Sequence, residues 1–162
     1  MRWINSYAKL VSRSPLLTMR RHTTILLVEA QDDIRLLVAV SLRRLGYSVI
    51  EAHTVTDACA KFGNADGAVA LLLSEAVLPD GTGTDLYRLL VAVEPRLRLL
   101  LIAGHRESTS IQLVADDQAT DFILKPFSLD ALIEKVRDLL SGGARLGPAL
   151  VRSRTLFANS VC

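Results

Sequence analysis

Short, largely apolar runs, each followed by a stretch of helical spacing, constrain this chain more than any other feature. The runs are Thr24–Val28, Tyr47–Ala52, Val69–Leu73, Leu97–Ala103 and Asp121–Leu124. Thr24–Val28 and the wholly apolar Val69–Leu73 are apolar on successive residues and read as strands buried on both faces. Between the runs, Ile34, Leu37, Val38, Val40, Ser41 and Leu45 give a first helix. Asp32 and Asp33 are expected to cap its N-terminus and Gly46 to stop it. Thr54, with Asp57 three residues on, predicts a capping box for a helix to about Phe62, closed by Gly63. A third helix is expected from about Gly83 to Val93, ended by Glu94-Pro95. A weaker one spans 108–116, and Ser128 caps a last one over 129–140, closed by Ser141-Gly142-Gly143. Strands alternating with crossover helices predict an α/β fold, a doubly wound five-stranded parallel sheet covered on both faces.

In such sheets, chemistry sits just beyond the carboxyl ends of the strands. Glu29-Ala30, Ser74-Glu75, Ala103-Gly104 and Lys125-Pro126 are the residues at those places. Each charge alone is an ordinary solvated strand end. Together, the carboxylates of Glu29 and Glu75 and the ammonium of Lys125 point to ion binding or phosphoryl chemistry. Gly81-Thr82-Gly83 has neither the spacing nor the lysine of a phosphate-binding loop.

Residues 23–141 resemble a receiver domain of two-component response regulators. The carriers are Ile25-Leu26-Leu27-Val28-Glu29, Asp33-Ile34-Arg35, Gly46-Tyr47-Ser48-Val49, Leu78-Pro79-Asp80-Gly81-Thr82-Gly83 and Phe122-Ile123-Leu124-Lys125-Pro126-Phe127. The resemblance implies the flavodoxin-like receiver fold with strand order 2-1-3-4-5. It also implies an aspartate after the third strand that accepts a phosphoryl group from a histidine kinase. An acidic pair after the first strand, that aspartate and a backbone carbonyl hold Mg²⁺. A hydroxyl after the fourth strand and a lysine after the fifth contact the phosphoryl group, an aromatic residue reports the state, and the Lys-Pro bond is cis.

Carried over by position, this site is depleted. The acceptor position holds Glu75, the acidic pair is Glu29 and Ala30, the hydroxyl position is Ala103, and the aromatic is Phe122, while Lys125 is retained. The metal positions are Glu29, Glu75 and the backbone carbonyl of Val77, so no Mg²⁺ or only weak Mg²⁺ binding is expected. Glu75 sets its carboxylate about an ångström beyond the place of an aspartate, and in-line transfer is sensitive to that displacement. The longer side chain is expected to reach Lys125 and fix one conformation. Ser74 and Asp80 are the candidate substitute acceptors; Ser74, next to Glu75 on a strand, should face the other way.

The charge is uneven. Residues 1–22 carry five basic residues and no acid, 142–162 carry three and no acid, and 23–141 hold 11 basic against 17 acidic residues. This predicts an acidic domain between two basic tails, the first expected to be mobile, with Trp3 and Tyr7 placed to dock on the domain or a partner. No apolar run approaches the roughly 18 residues of a membrane span. Cys59 and Cys162 offer neither a disulfide framework nor a metal spacing, His22 and His53 have no partner at ligand spacing, and His105, after Gly104 beside the strand ends, reads as a loop histidine rather than a general base. A cytoplasmic protein is expected.

The expected function is two-component phosphorelay signalling by protein contact, without enzymatic activity and without normal Asp phosphorylation. The alternative is a switch still phosphorylated at Glu75 or a substitute residue. A flavodoxin-like enzyme or nucleotide binder is remote, because Glu29-Ala30-Gln31-Asp32 holds no glycine. The expected partners are a histidine kinase or another signalling protein. A homodimer would use the last helix, the fifth strand and the helix before it. No small-molecule substrate is expected, and nucleic acid is disfavoured: only 21 residues follow Ser141, too few for an output domain.

Overall fold

A computed structural model describes residues 23–65, 67–104 and 119–142. The segments 1–22 and 143–162, the expected helix 108–116 and His105 lie outside the described residues. The elements run β1 (Thr24–Val28), α1 (Asp32–Arg44), β2 (Ser48–Ala52), α2 (Val55–Gly63), β3 (Val69–Glu75), β4 (Val77–Leu78), β5 (Gly81–Thr82), α3 (Gly83–Val91), β6 (Arg98–Ala103), β7 (Thr120–Leu124) and α4 (Leu129–Ser141). Five strands form one sheet in the order β2-β1-β3-β6-β7, every pairing parallel. Counted within that sheet, the order is the expected 2-1-3-4-5.

Alternation along the strands divides the core into two layers. Leu26, Val28, Leu72, Leu99 and Leu101 face α2 and α3, with Ala58, Leu86 and Leu90. Ile25, Leu27, Leu71, Leu73, Leu100 and Ile102 face α1 and α4, with Val38, Ala39, Leu42, Leu132, Val136 and Leu139. Each fully buried leucine contributes about 1.5–3 kcal/mol, so the sheet carries the fold whatever the strand-end residues do.

The helix ends follow local chemistry. The Thr54 hydroxyl accepts from Asp57 N–H at 3.1 Å, Thr82 from Asp85 N–H at 3.1 Å, and Ser128 from Ala131 N–H at 3.2 Å. Gly46 (φ +90°) follows α1 and Gly142 (φ +69°) follows α4, left-handed conformations in which a Cβ would be strained.

Several expectations need correction. Gln31, not Asp32 or Asp33, is the N-cap of α1, and its side chain makes no capping bond. The two aspartates sit in the first turn, where the helix dipole favours them. The core stripe of α1 is Val38, Ala39 and Leu42, whereas Leu37, Val40 and Leu45 are exposed. The helix is apolar on more than one side, so apolar spacing alone does not set its rotation. Gly63 is the last residue of α2, with Asn64 as C-cap, and α3 ends at Val91 rather than Val93. The expected loop 74–82 contains the end of β3 and the antiparallel β4–β5 ribbon, pairing Val77 with Thr82 and Leu78 with Gly81.

Gly83 starts α3 where two elements nearly touch. A Cβ there would lie 2.5 Å from the Glu75 carbonyl oxygen and 2.7 Å from Ser74 Oγ. Backbone cannot yield cheaply, so Gly83→Ala is expected to lower unfolding free energy by about 1–3 kcal/mol in urea titrations. An unchanged midpoint would show that α3 can shift freely.

Candidate functional site

The carboxyl ends of β1, β3 and β7 bring Glu29, Glu75 and Lys125 together. Lys125 Nζ lies 2.8 Å from Glu75 Oε1 and 3.3 Å from Glu29 Oε2. The longer acidic side chain at position 75 thus makes the reach expected of it. The Glu29 side chain is fully buried, while those of Glu75 and Lys125 are 18% and 26% exposed. Lys125 follows β7 with its N–H bonded to Ala103 O at 2.8 Å, and the Lys125–Pro126 bond is cis.

Glu29 is held from several sides. Its backbone N–H donates to Ala52 O at 3.1 Å, and Gln31 N–H donates to Glu29 Oε1 at 3.0 Å. Burial raises the Glu29 carboxyl above the usual carboxylate range, and the neighbouring Glu75 pushes the same way. The Gln31 N–H and the Lys125 charge pull downward without reversing the shift. For Lys125, burial opposes the charged form. The bond to Glu75 and the charges of Glu29 and Glu75 outweigh it and hold the ammonium above its ordinary value.

Ala30 is half-buried and brings no oxygen from its side chain, and Ala103 is fully buried in the first core layer. Phe122 packs at the edge of that layer. Lys135 Nζ sits 5.8 Å from the centre of its ring and 2.9 Å from Asp121 Oδ2, so a cation covers the aromatic position.

The receiver resemblance implies Mg²⁺, and the donor set does not fit that ion. Mg²⁺ takes octahedral oxygen ligands and dehydrates reluctantly. Here two carboxylates already share an ammonium, burial disfavours the charged form of one of them, and Ala30 adds nothing. Val77 lies in the β4–β5 ribbon. Among the described residues, no group of three or more His, Cys, Asp and Glu side chains gathers around a common centre.

The substitute acceptors are engaged elsewhere. Ser74 is fully buried, and its hydroxyl donates to Glu75 O at 2.9 Å. Asp80 accepts from Val55 N–H at 2.7 Å, Thr56 N–H at 2.9 Å and the Thr56 hydroxyl at 2.8 Å. The Thr56 and Val55 N–H groups lower its carboxyl pKa. It ties the β4–β5 turn to the start of α2. Asp32 pairs with Arg35.

Arg35 is the site residue that sequence reasoning missed. Its Nη1 donates to the Glu29 carbonyl at 2.7 Å, and its Nε lies 3.8 Å from Glu51, which also pairs with Arg43 at 2.8 Å. It joins α1, the end of β1 and β2. Its signals were its place in the Asp33-Ile34-Arg35 run and its spacing three residues after Asp32, which brings helix side chains together. His53 Nδ1 lies 3.1 Å from Asp57, and Cys59 is half-buried in α2. No helix among the described residues is long and apolar enough to cross a membrane.

Comparison with known proteins agrees with this geometry. The family described as response regulator receiver domain matches residues 25–137. The chain is 31% identical over 117 residues to the sensor kinase CckA of Brucella abortus, covering 72% of this chain and 12% of that protein. It is 30% identical over 114 residues to DctD of Rhizobium meliloti, a C4-dicarboxylate transport transcriptional regulatory protein, covering 70% and 24%. It therefore spans only a minor part of those relatives. The response regulator receiver protein CpdR of Brucella abortus is 29% identical over 119 residues, covering 72% of this chain and 95% of that one. Among solved structures, the receiver domain of the hybrid histidine kinase CckA superposes with a TM-score of 0.61 at 26% identity, covering 72% and 98%. The chemotaxis response regulator CheY4 of Vibrio cholerae shares the fold, with a TM-score of 0.64 at 21% identity, covering 74% and 99%. The sheet order, the residues gathered at its carboxyl edge and the family match over most of the chain agree: this chain belongs to the response regulator receiver domain family of two-component signalling.

Proposed function

We propose that this receiver domain signals by protein contact from one fixed conformation, without phosphorylation at its acceptor position and with weak or no Mg²⁺ binding. The observation that carries this reading is the Lys125 ammonium, 2.8 Å from Glu75 and 3.3 Å from Glu29. An internal ion pair occupies the charges that would otherwise receive a phosphoryl group and its metal. In-line transfer needs charge stabilisation on the moving phosphoryl oxygens, and with Ala30 and Ala103 the chain supplies little of it. Its role is recognition rather than catalysis. The partners are a histidine kinase or another signalling protein of the same system, and α4 with β7 is the surface for such contact or for a homodimer.

The test is incubation of the full chain with acetyl phosphate and Mg²⁺, read by intact mass, beside an Mg²⁺ titration followed by NMR. No phosphoryl adduct and no saturable shift near Glu29 and Glu75 are expected. A stable adduct on Glu75, Ser74 or Asp80 would overturn the fixed state and establish a working switch.

A further inference from the structure

Helix α1 carries an apolar seam on the side away from the sheet. Val38, Ala39 and Leu42 are buried in the second core layer. Leu36 and Leu37 are each 59% exposed, and Val40 is 37% exposed. At 3.6 residues per turn Asp33, Leu37, Val40 and Arg44 fall in one line opposite the core, with Leu36 on its flank. Asp33 and Arg44 are exposed as well. The charges beside them are engaged within the chain: Asp32 pairs with Arg35, and Arg43 with Glu51. Among the described residues, Asp33 and Arg44 have no ion-pair partner.

The order along the seam is symmetric in spacing and opposite in charge. From Asp33 the steps run four, three and four residues, so the reversed seam has the same spacing. Reversal exchanges the acid for the base. A two-fold axis level with the midpoint between Val38 and Ala39 therefore sets Leu37 against Val40 of a second copy, and Asp33 against its Arg44. Symmetry makes each of these contacts twice. Parallel packing would instead set Asp33 against Asp33 and Arg44 against Arg44, and would align the two helix dipoles unfavourably.

We propose that two copies of this chain pack antiparallel through the outer faces of α1, over Leu37 and Val40, with Asp33 of each copy paired to Arg44 of the other. The charges select this occupant: the seam is complementary to its own reverse. This assigns the dimer to α1 rather than to α4 and β7, and charge reversal separates the two surfaces.

A single helix-on-helix contact is a small interface, so a dissociation constant on the order of 10 μM is expected. Sedimentation equilibrium of the full chain should show a reversible monomer–dimer equilibrium. Asp33→Arg and Arg44→Asp each set like charges together twice and should weaken it at least about tenfold. Mixed in equal amounts, the two variants should form a heterodimer near the wild-type affinity, because each supplies the charge that the other lacks. That rescue also shows that both variants fold. Leu37→Asp should abolish the dimer, while Arg137→Glu, exposed on α4, should leave it intact. A monomer even at about ten times the expected constant would overturn the proposal and leave the seam to a different protein. Variants that regain no dimer on mixing would overturn it too. So would a dimer lost with Arg137→Glu and kept in the α1 variants, which would place the contact on α4.

Discussion

Lys125→Met is expected to destabilise the protein on the order of 3 kcal/mol near neutral pH. The substitution keeps most of the volume and removes the charge that Glu29 and Glu75 share. Glu29 is then a fully buried carboxylate with one backbone donor and an acidic neighbour. Loss of one partner of a buried pair costs about 3–5 kcal/mol. The lower end applies because Lys125 and Glu75 remain partly in water. The pH dependence identifies the cause. Glu29 already has its folded pKa above the unfolded value, so its contribution is fully present below that unfolded value and is lost as pH rises through the folded one. Removing Lys125 moves the folded value higher still and deepens that loss. The deficit of Lys125→Met against wild type should therefore shrink on acidification from about pH 8 to about pH 5 in urea titrations. Lys125 acts at the other end: its folded pKa is also raised, so its stabilising share holds through neutrality and is lost only above its ordinary range. Glu75→Gln keeps an acceptor for Lys125 and should cost about 1 kcal/mol. A pH-independent deficit in Lys125→Met would mean that lost packing, not the stranded carboxylates, sets the effect.

The parts of this fold that could be read from sequence are those in which one residue's chemistry decides its place. Consecutive apolar residues in Leu26-Leu27-Val28 and Leu71-Leu72-Leu73 have no polar face to expose, so central parallel strands were the available solution. Thr54 and Ser128 announce helix starts through hydroxyls that the next turn needs. Legibility fails where position depends on distant partners. The rotation of α1 hinges on whether Ala39 and Leu42 or Leu37 and Val40 meet the sheet, and both sets are apolar. The β4–β5 ribbon is too short to show periodicity, and Asp80 finds Val55 and Thr56 across a separation of about 25 residues. The same division holds in the site. The meeting of Glu75 with Lys125 follows from strand-end placement and side-chain length. Arg35 on the Glu29 carbonyl requires the rotation of α1 to be known first.

If the domain is held in one state as proposed, rebuilding the depleted positions should make it chemically competent. The triple variant Glu75→Asp, Ala30→Asp, Ala103→Ser is expected to form a phosphoryl adduct with acetyl phosphate and Mg²⁺, from a wild-type level at background. Each change removes a distinct obstacle. Shortening residue 75 draws its carboxylate back by about an ångström and loosens the 2.8 Å bond to Lys125, which frees the lysine for phosphoryl oxygens. An aspartate at the half-buried position 30 adds the missing oxygen ligand and a negative charge that the metal neutralises. A hydroxyl at position 103 supplies a donor beside the reacting group, at a packing cost of about 1–3 kcal/mol because Ala103 is fully buried. The effects should be strongly non-additive, because a metal site lacking one ligand and an acceptor lacking its metal are each close to inactive. Glu75→Asp alone should therefore stay near background, and Ala30→Asp alone should gain Mg²⁺ binding without an adduct. If Glu75→Asp alone were phosphorylated as fully as the triple variant, the missing ligand at position 30 would be irrelevant. The extra methylene of Glu75 would then be the whole of what holds this receiver in one state.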